Sequence, residues 1–233
     1  MTDRPCLILA AGNGRRMAPF STRVPKPFVP VCGRPLLEHV MLAAYSAGVR
    51  SFVVVVEERG WAMHERFTPP WSSEVEIRWL WNQESEKSNG VSALKARDAL
   101  SEPFLLLMAD HLFEPGAASE LLQQPVNAGQ VILAVDRKLD QVFDMEDATK
   151  VLLQGDLVAE IGKEIPRFDA VDTGMFLCDP ALFAALQESL QCGDCSLTDG
   201  MRRLARRGGL RAWDIGGRLW LDVDTPEALA RGE

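Results

Sequence analysis

Short apolar runs alternate with longer amphipathic stretches along the first half of the chain. Each run is bounded by polar or turn-forming residues, a pattern typical of buried strands. The predicted strands span Cys6 to Ala10, Phe52 to Val56, Glu76 to Trp81, Phe104 to Ala109 and Val131 to Val135. Predicted helices lie between strands, over Pro35 to Ala47, which Gly48 ends, and over Ser92 to Leu100. Strands that alternate with helices predict a mostly parallel sheet with helices on both faces.

The second half of the chain has a different rhythm. Two short strands are predicted within Thr149 to Glu160, on either side of a turn at Gln154-Gly155-Asp156. The remaining predicted elements are strands at Val171 to Leu177 and near Arg211 to Ile215, and helices over Pro180 to Leu190 and Thr198 to Arg206. Such a mixed tail adds strands to one edge of the sheet and walls off a cleft. We therefore predict an α/β fold, Rossmann-like, with a mixed but mostly parallel sheet and a second, small lobe.

The composition is that of a folded chain, with 47% of its 233 residues hydrophobic and 25% charged. The 25 basic and 33 acidic residues give a net charge of −8, so general binding of nucleic acid or anionic membrane is disfavoured. No apolar run approaches the roughly 18 residues of a membrane span. The N-terminus shows no secretory pattern, and five irregularly spaced cysteines argue against a disulfide framework. We therefore expect a cytoplasmic protein without a membrane segment.

The most specific local feature is a glycine-marked loop after the first predicted strand. Its residues Ala10-Ala11-Gly12-Asn13-Gly14 allow a tight turn that presents backbone N–H groups. The stretch from Gly12 to Arg34 holds five basic and no acidic residues, namely Arg15, Arg16, Arg23, Lys26 and Arg34. Backbone amides together with cationic side chains favour a polyphosphate ligand. A glycine turn with solvated arginines is the structural alternative.

Two familiar nucleotide-binding motifs fit this loop less well. The dinucleotide fingerprint needs a third glycine where Met17 stands, which disfavours a dinucleotide-dependent oxidoreductase, and the sequence holds no Walker loop. Downstream, Pro25 and Pro27 flank Lys26 and restrict the backbone, so the lysine side chain is held in one direction. A lysine in that position is a compact charge suited to a developing phosphate charge.

These residues resemble the sugar-nucleotidyltransferase superfamily. Three stretches carry the resemblance, Leu9 to Pro19, Pro25 to Val31 and Gly33 to His39. In that family the loop wraps a nucleoside triphosphate and the lysine contacts its phosphates. The resemblance therefore implies that the loop from Ala10 to Gly14 binds the nucleotide and that Lys26, Arg15 and Arg16 are the catalytic cations. It also implies a fold of the nucleotidyltransferase type.

Three aspartates are candidates for a metal site, because nucleotidyl transfer needs Mg²⁺ to neutralise charge as pyrophosphate leaves. Asp110 follows a buried-type strand, where a carboxylate projects into the crevice. Asp222 and Asp224 share one face if their segment is extended. Either could instead support a helix start at Thr225-Pro226-Glu227. The resemblance favours metal ligation by Asp110 and by one of the other two, and leaves that choice open.

The polar segment Asn82 to Ser92 joins a predicted strand to a predicted helix and should lie over the cleft. Its amide, hydroxyl and backbone groups could recognise the edge of a base, with a solvated loop as the alternative. The segment resembles the base-reading loop of the superfamily. The resemblance implies nucleotide contacts by Glu84, Asn89, Gly90 and Ser92.

Further stretches resemble the CTP:inositol-1-phosphate cytidylyltransferases. They are Asp110 to Phe113, Asp136 to Lys138, Glu146 to Val151, Ile161 to Lys163, Ala170 to Phe176 and Trp220 to Glu227. The resemblance implies that Lys163 holds the acceptor phosphate, that Asp172 and Thr173 contact the acceptor, and that His111 orients a ligand or phosphate. It implies Mg²⁺-dependent transfer of CMP from CTP to inositol-1-phosphate. That family's domain is often fused to a membrane phosphatidyltransferase-like domain. The sequence up to Glu233 holds no such domain, so we expect a downstream CDP-alcohol transferase as a separate protein.

Several alternatives stay open at this point. A phosphocholine or aminoethylphosphonate cytidylyltransferase of the same fold would bind a cationic alcohol on aromatic faces, for which Trp79, Trp81 and Trp220 are candidates unless they belong to the core. A sugar-1-phosphate nucleotidyltransferase and a non-catalytic nucleotide-binding sensor are the others. We predict a single nucleotidyltransferase domain over residues 1–233, with a nucleotide-binding half over about 1–135 and an acceptor-binding half over 136–233. A homodimer is an open option.

Overall fold

A large mixed sheet forms the framework of the molecule. The structure is a computed structural model that describes residues 4–18, 20–114 and 116–232. Its strands are β1 (Cys6–Ala10), β2 (Pro30–Val31), β3 (Arg34–Pro35), β4 (Ser51–Val56), β5 (Glu76–Trp81), β6 (Phe104–Met108), β7 (His111–Phe113), β8 (Val131–Asp136), β9 (Lys150–Gln154), β10 (Leu157–Gly162), β11 (Ala170–Cys178), β12 (Leu210–Asp214) and β13 (Trp220–Asp222). Its α-helices are α1 (Phe20–Arg23), α2 (Leu36–Ser46), α3 (Glu58–Met63), α4 (Asn89–Leu94), α5 (Ala117–Leu122), α6 (Ala181–Ser189), α7 (Leu197–Arg206) and α8 (Pro226–Gly232).

The sheet has nine strands in the order β5-β4-β1-β6-β11-β8-β12-β10-β9. The first four pair in parallel, so their carboxyl ends meet along one edge, where ligands of open α/β sheets bind. The long strand β11 lies antiparallel between β6 and β8, and its first residues also pair with β9. The second half of the chain thus continues the same sheet and carries it past the carboxyl end of β6.

Two small antiparallel ribbons lie outside the large sheet. One pairs β7 with β13 and sets His111 opposite Asp222. The other pairs β2 with β3. Helix α8 follows the first ribbon, and the Thr225 hydroxyl accepts a hydrogen bond from the backbone N–H of Ala228 at its start, 3.2 Å away. Because Thr225 caps the helix, Asp222 and Asp224 are not needed for that purpose.

Both faces of the sheet are covered by apolar side chains. Alternate residues of β1 point to opposite faces, so Leu7 and Leu9 enter one core while Cys6 and Ile8 enter the other. These four side chains are at most 5% exposed, and each such burial is worth about 1.5–3 kcal/mol. The near-continuous apolar composition of β1, β4 and β6 follows from this two-sided burial.

The structure confirms the predicted α/β fold class and its principal elements. One predicted element differs, because the helix expected over Ser92 to Leu100 begins earlier, as α4, and ends at Leu94. The α-helix ends there because the N–H of Lys95 bonds to the carbonyl of Ser92, three residues before it, in the pattern of a 3₁₀ helix. A single 3₁₀ turn at Arg97–Ala99 follows. Pro19, part of the sequence resemblance, lies outside the described residues. Among the described helices, every one is too short or too polar to cross a membrane.

Candidate active site

A cleft of about 240 Å³ lies beyond the carboxyl ends of β1 and β6, between the two halves of the chain. Its walls come from both halves. The charged residues on them are Arg16, Asp110, His111, Asp136, Lys138, Asp144, Asp147, Lys163, Asp172, Arg218, Asp222 and Asp224. Cations and carboxylates alternate around one space, as a site for a phosphorylated substrate and a metal requires.

The glycine-marked loop leads to Arg16 on the cleft wall and packs closely against Lys26. Gly14 has φ +62°, and a Cβ added there would lie 2.8 Å from the Cβ of Lys26. The Ser21 hydroxyl donates to the carbonyl oxygen of Gly14 over 2.6 Å and fixes the turn. After this turn a 3₁₀ helix, Arg15–Met17, directs Arg16 into the cleft, whereas Arg15 is exposed and lies outside the cleft wall.

Lys26 is the central cation of the site. Its side chain is 5% exposed, and it follows Pro25 in a single 3₁₀ turn. The Nζ atom donates to Oδ2 of Asp110 over 2.6 Å and also to Oδ1 of Asp224. The sequence prediction that Lys26 and these two carboxylates share a site is therefore consistent with their placement, and Lys26 is the link between the loop and the acidic groups.

His111 and two aspartates form a tightly packed charged group beside Lys26. Nδ1 of His111 lies 2.8 Å from Oδ1 of Asp110 and 3.9 Å from Oδ1 of Asp222. Burial opposes protonation, but Asp222, Asp110 and Asp172 together raise the pKa of His111 to about 9. Burial would likewise raise the pKa of Asp110, yet the charges of Lys26 and His111 hold that pKa well below its usual range. At neutral pH this group therefore contains an imidazolium and an ionised Asp110.

Asp222 has the orphaned oxygen that a metal ligand would leave. Its Oδ1 is buried and, within the described part of the chain, is the one buried side-chain polar atom without a hydrogen-bond partner. Oxygens or nitrogens of Asp110, His111 and Asp222 lie within 4.8 Å of one another, and so do those of Asp147, Asp222 and Asp224. Burial raises the pKa of Asp222, and the opposing charges of His111, Lys26 and Arg16 do not cancel that effect. Carboxylate oxygens are suitable ligands for Mg²⁺, so this donor set fits the metal.

The ribbon of β7 and β13 holds this group in register. His111 pairs with Asp222 and directly follows Asp110 in the sequence. The pairing therefore brings the carboxylates of Asp110 and Asp222 together, although they are far apart along the chain. Trp220 of the same ribbon stacks on His111, with ring centroids 5.9 Å apart and planes at 11°. Its indole N–H donates to Oδ2 of Asp136 over 2.8 Å. Asp136 is buried and also accepts from Nζ of Lys138, so the aromatic wall of the cleft is fixed in place.

Of the residues predicted to bind an acceptor, Lys163 and Asp172 line the cleft and Thr173 does not. Lys163 follows β10 and is bonded to Asp147, which also binds Arg16. Asp172 lies on β11 and accepts the N–H of Gly174 over 2.7 Å, while burial raises its pKa to about 6. Thr173 points to the other side of β11, is fully buried, and donates its hydroxyl to the carbonyl of Ala134. The alternation of side chains along a strand thus takes Thr173 away from the expected acceptor contact.

The polar segment Asn82 to Ser92 is held by internal bonds. The buried amide of Asn82 donates to Ser92 Oγ over 2.9 Å, and Glu84 is paired with Lys87 and Lys95, which lower its pKa to about 2. Asn89 lies on the cleft wall, but its Oδ1 accepts the N–H of Leu197. A Cβ on Gly90 would lie 2.6 Å from the Cys195 carbonyl. Asn89 and Gly90 therefore also join this segment to the start of α7.

Two carboxylates on the cleft wall, Asp147 and Asp136, were not singled out as site residues by the sequence, which considered Trp220 only as an aromatic face for a cationic alcohol. Asp147 stands between Arg16 and Lys163, and the pair of Asp136 and Trp220 supports His111. Both occur in stretches that carry the family resemblance, which was the available signal. Two of their contacts join distant parts of the chain, across 84 residues between Trp220 and Asp136 and across 131 residues between Arg16 and Asp147.

Comparison with known proteins agrees with this geometry. The model of the MobA-like NTP transferase domain family matches residues 6–213. The chain is 32% identical to a bifunctional IPC transferase and DIPP synthase from Aquifex aeolicus over 97% of its own length and 50% of the relative. It is 34% identical to the protein of the same name from Thermococcus kodakarensis, over 99% of this chain and 50% of the relative. The chain thus spans about half the length of these curated relatives.

Solved structures show the same fold. The inositol-1-phosphate CTP transferase from T. maritima superposes with a TM-score of 0.87 and 28% identity, over 98% of this chain and 96% of that one. A putative glucose-1-phosphate thymidylyltransferase from Bacillus anthracis superposes with a TM-score of 0.83 at 18% identity, over 98% and 93%. The second likeness concerns the fold alone. Since the family model matches residues 6–213, which is most of the chain, the chain belongs to the MobA-like NTP transferase domain family and carries a nucleotidyltransferase domain.

Proposed function

We propose that this domain is a Mg²⁺-dependent cytidylyltransferase that transfers CMP from CTP to inositol-1-phosphate, with CDP-inositol and pyrophosphate as products. The observation that carries the proposal is the convergence of Lys26 and Arg16 on Asp110 and Asp224, which line one cleft together with Asp222. The names of the relatives support the nucleotide and the acceptor. The identity of 28% with the inositol-1-phosphate CTP transferase extends over almost the whole chain, and includes the acceptor side.

The nucleotide-binding half would hold the triphosphate. Backbone amides from Ala10 to Gly14 are free to approach phosphate oxygens because this segment has small side chains, and a Cβ on Gly12 would meet nothing within 4 Å. Arg16 lies on the cleft wall, and Lys26 binds Asp110 and Asp224 of that wall, so both cations would neutralise charge on the phosphates. Arg15, exposed at the rim, is proposed to contact the outer phosphates. The base would lie near Ser92 and the Glu84 segment.

Asp110 and Asp222 would hold the metal. The unpartnered Oδ1 of Asp222 and its position in both acidic clusters support this choice, whereas Asp224 is engaged by Lys26 and Arg16. A bound Mg²⁺ supplies charge neutralisation at the phosphate oxygens as pyrophosphate leaves. His111 donates from Nδ1 to Asp110 and so fixes the direction of that carboxylate.

The reaction is an in-line displacement that needs no strong general base. An oxygen of the acceptor phosphate, already anionic near neutral pH, forms a bond to the α-phosphorus of CTP. The bond from that phosphorus to the bridging oxygen breaks, and pyrophosphate leaves with the electron pair. Lys163 would hold the acceptor phosphate and Asp172 would accept a hydrogen bond from an acceptor hydroxyl. The protein contributes position and charge neutralisation.

The aromatic side chains favour a neutral polyol over a quaternary ammonium. Trp79 and Trp81 lie on β5, away from the cleft wall, and contact His64 and Trp61 respectively. Trp220 is the tryptophan at the cleft, and one face of its ring is covered by the protonated His111. A cationic headgroup is recognised by open aromatic faces without a competing cation, so phosphocholine fits this wall less well.

The test is pyrophosphate release with Mg²⁺, with each of four nucleoside triphosphates crossed against inositol-1-phosphate, phosphocholine, aminoethylphosphonate and glucose-1-phosphate. We expect release with CTP and inositol-1-phosphate alone. Release with CTP and another acceptor would keep the mechanism and replace the acceptor. Binding of CTP without release for any acceptor would favour a nucleotide-binding sensor.

A further inference from the structure

Asp147 bridges two cations that come from opposite sides of the cleft. Its Oδ2 accepts from Nη1 of Arg16 over 2.5 Å, and its Oδ1 accepts from Nζ of Lys163. Arg16 belongs to the nucleotide loop, whereas Lys163 follows β10 on the acceptor side. One carboxylate therefore joins the two halves of the site.

The same geometry defines a space for a phosphate group. Because the two oxygens of a single carboxylate reach both cations, Arg16 and Lys163 are within reach of one oxyanion of that size. A phosphate monoester has oxygens at a similar spacing, carries more negative charge, and binds guanidinium and ammonium groups through charge-assisted hydrogen bonds. It could therefore make both contacts that Asp147 now makes, but not at the same time as Asp147.

Asp147 lies on a segment outside the large sheet. The segment runs between the 3₁₀ turn Leu139–Gln141 and β9, and it contains no strand. Asp147 and Ala148 make local bonds, from the Asp147 N–H to Oδ1 of Asp144 and from the Ala148 N–H to the Asp144 carbonyl, and the segment joins β11 two residues later, where the Thr149 carbonyl accepts the N–H of Asp172. The other carboxylate that binds Arg16, Asp224, adjoins β13 instead.

We propose that Asp147 acts as an internal substitute for the acceptor phosphate. It occupies the position between Arg16 and Lys163 while the acceptor is absent, and an incoming phosphate monoester displaces it. The acceptor must compete with Asp147. The apparent affinity for its phosphate therefore equals the intrinsic affinity multiplied by the fraction of molecules in which Asp147 is released. The location and charge of the subsite rest on the contacts of Asp147, and its use in catalysis rests on the proposed function.

The test is calorimetric binding of inorganic phosphate in the absence of nucleotide and metal. Asp147→Asn removes the competing charge with little change of shape, and we expect phosphate to bind about tenfold more tightly. Glu146→Gln is the matched control, since Glu146 is an exposed neighbour on the same segment, and its phosphate affinity should equal that of the unchanged chain. The tighter binding should vanish in Asp147→Asn combined with Lys163→Met. Asp147→Ser serves as a second variant if the first does not fold.

Phosphate affinity unchanged or weakened in Asp147→Asn would overturn the proposal. A higher Mg²⁺ requirement of Asp147→Asn without tighter phosphate binding would also overturn it and would make Asp147 a metal ligand with Asp222 and Asp224. In the active enzyme the KM for the acceptor should fall. Tighter phosphate binding without any transferase activity in the unchanged chain would support the subsite and contradict the proposed function, so the two failures are distinct.

Discussion

Nζ of Lys26 lies 2.6 Å from Oδ2 of Asp110, although 84 residues separate them along the chain. The contact exists because the loop after β1 and the turn after β6 leave the sheet from neighbouring parallel strands. It joins the cation expected to bind phosphate to a carboxylate expected to bind a metal. This pair is the centre of the site.

Replacement of Lys26 should affect turnover more than binding of the acceptor. Lys26→Met removes a buried positive charge, and we expect kcat to fall by about 10² or more, as the loss of one electrostatic contact in a closed site does. Steady-state kinetics with CTP and inositol-1-phosphate measure this. Arg23→Met, which removes an exposed basic residue of the same stretch, is the control and should keep its turnover. A normal kcat in Lys26→Met would remove this lysine from the mechanism.

The two C-terminal aspartates should differ in their effect on metal use. Asp222→Asn should raise the Mg²⁺ concentration for half-maximal rate by about tenfold or more. The reason is that Oδ1 of Asp222 has no hydrogen-bond partner among the described residues and is therefore available to the metal. Asp224→Asn should change that concentration less, since Asp224 is paired with Lys26 and Arg16. Magnesium titrations of the rate compare the two. The reverse order would assign the metal to Asp224.

Two glycines should respond to alanine in opposite ways. Gly90→Ala places a Cβ 2.6 Å from the carbonyl of Cys195 and should lower stability by about 1–3 kcal/mol, as overpacking does. A Cβ at Gly12 meets nothing within 4 Å in the structure, so the stability of Gly12→Ala should be nearly unchanged. Its KM for CTP should rise, because the added methyl group keeps the phosphates away from the backbone amides. Thermal melts and CTP kinetics separate the effects. Unaltered stability in Gly90→Ala would argue against its packing role.

Asp172 should make stability fall as pH rises. Its pKa is 3.8 without perturbation and about 6 in the folded protein, because burial disfavours the charge. The unfolded chain therefore releases this proton first, and the contribution of Asp172 to stability is complete below pH 3.8 and is lost as pH rises to about 6. Asp172→Asn keeps the acceptor of the Gly174 N–H and should be more stable than the unchanged chain at pH 7, by up to about 3 kcal/mol.

Melting curves from pH 5 to pH 8 with EDTA present test this dependence on Asp172. The gain in Asp172→Asn should be largest at pH 7–8 and about half as large near pH 5. Asp140→Asn, which changes an exposed carboxylate, is the control and should follow the unchanged chain. A gain that does not depend on pH would show that the ionisation of Asp172 is not its cause.

Part of the site was predictable because its signals are local. The glycines and small residues after β1, the prolines around Lys26, and an aspartate directly after an apolar strand each reflect a requirement of a few consecutive residues. Thr173 shows where the local signal stops. The resemblance implies an acceptor contact, but the side chains of β11 alternate, and Thr173 faces the core while Asp172 faces the cleft.

The amino-acid sequence by itself determined the alternation of strands and helices, the family, and the identity of the cations and carboxylates, since these depend on hydrophobic periodicity and on motifs of adjacent residues. The tertiary structure decided which of them meet. The pairing of His111 with Asp222, the orphaned oxygen of Asp222 and the bridge of Asp147 between Arg16 and Lys163 arise from strand register and from packing of distant segments. Such contacts follow from the whole set of pairings in the sheet, which no local pattern encodes.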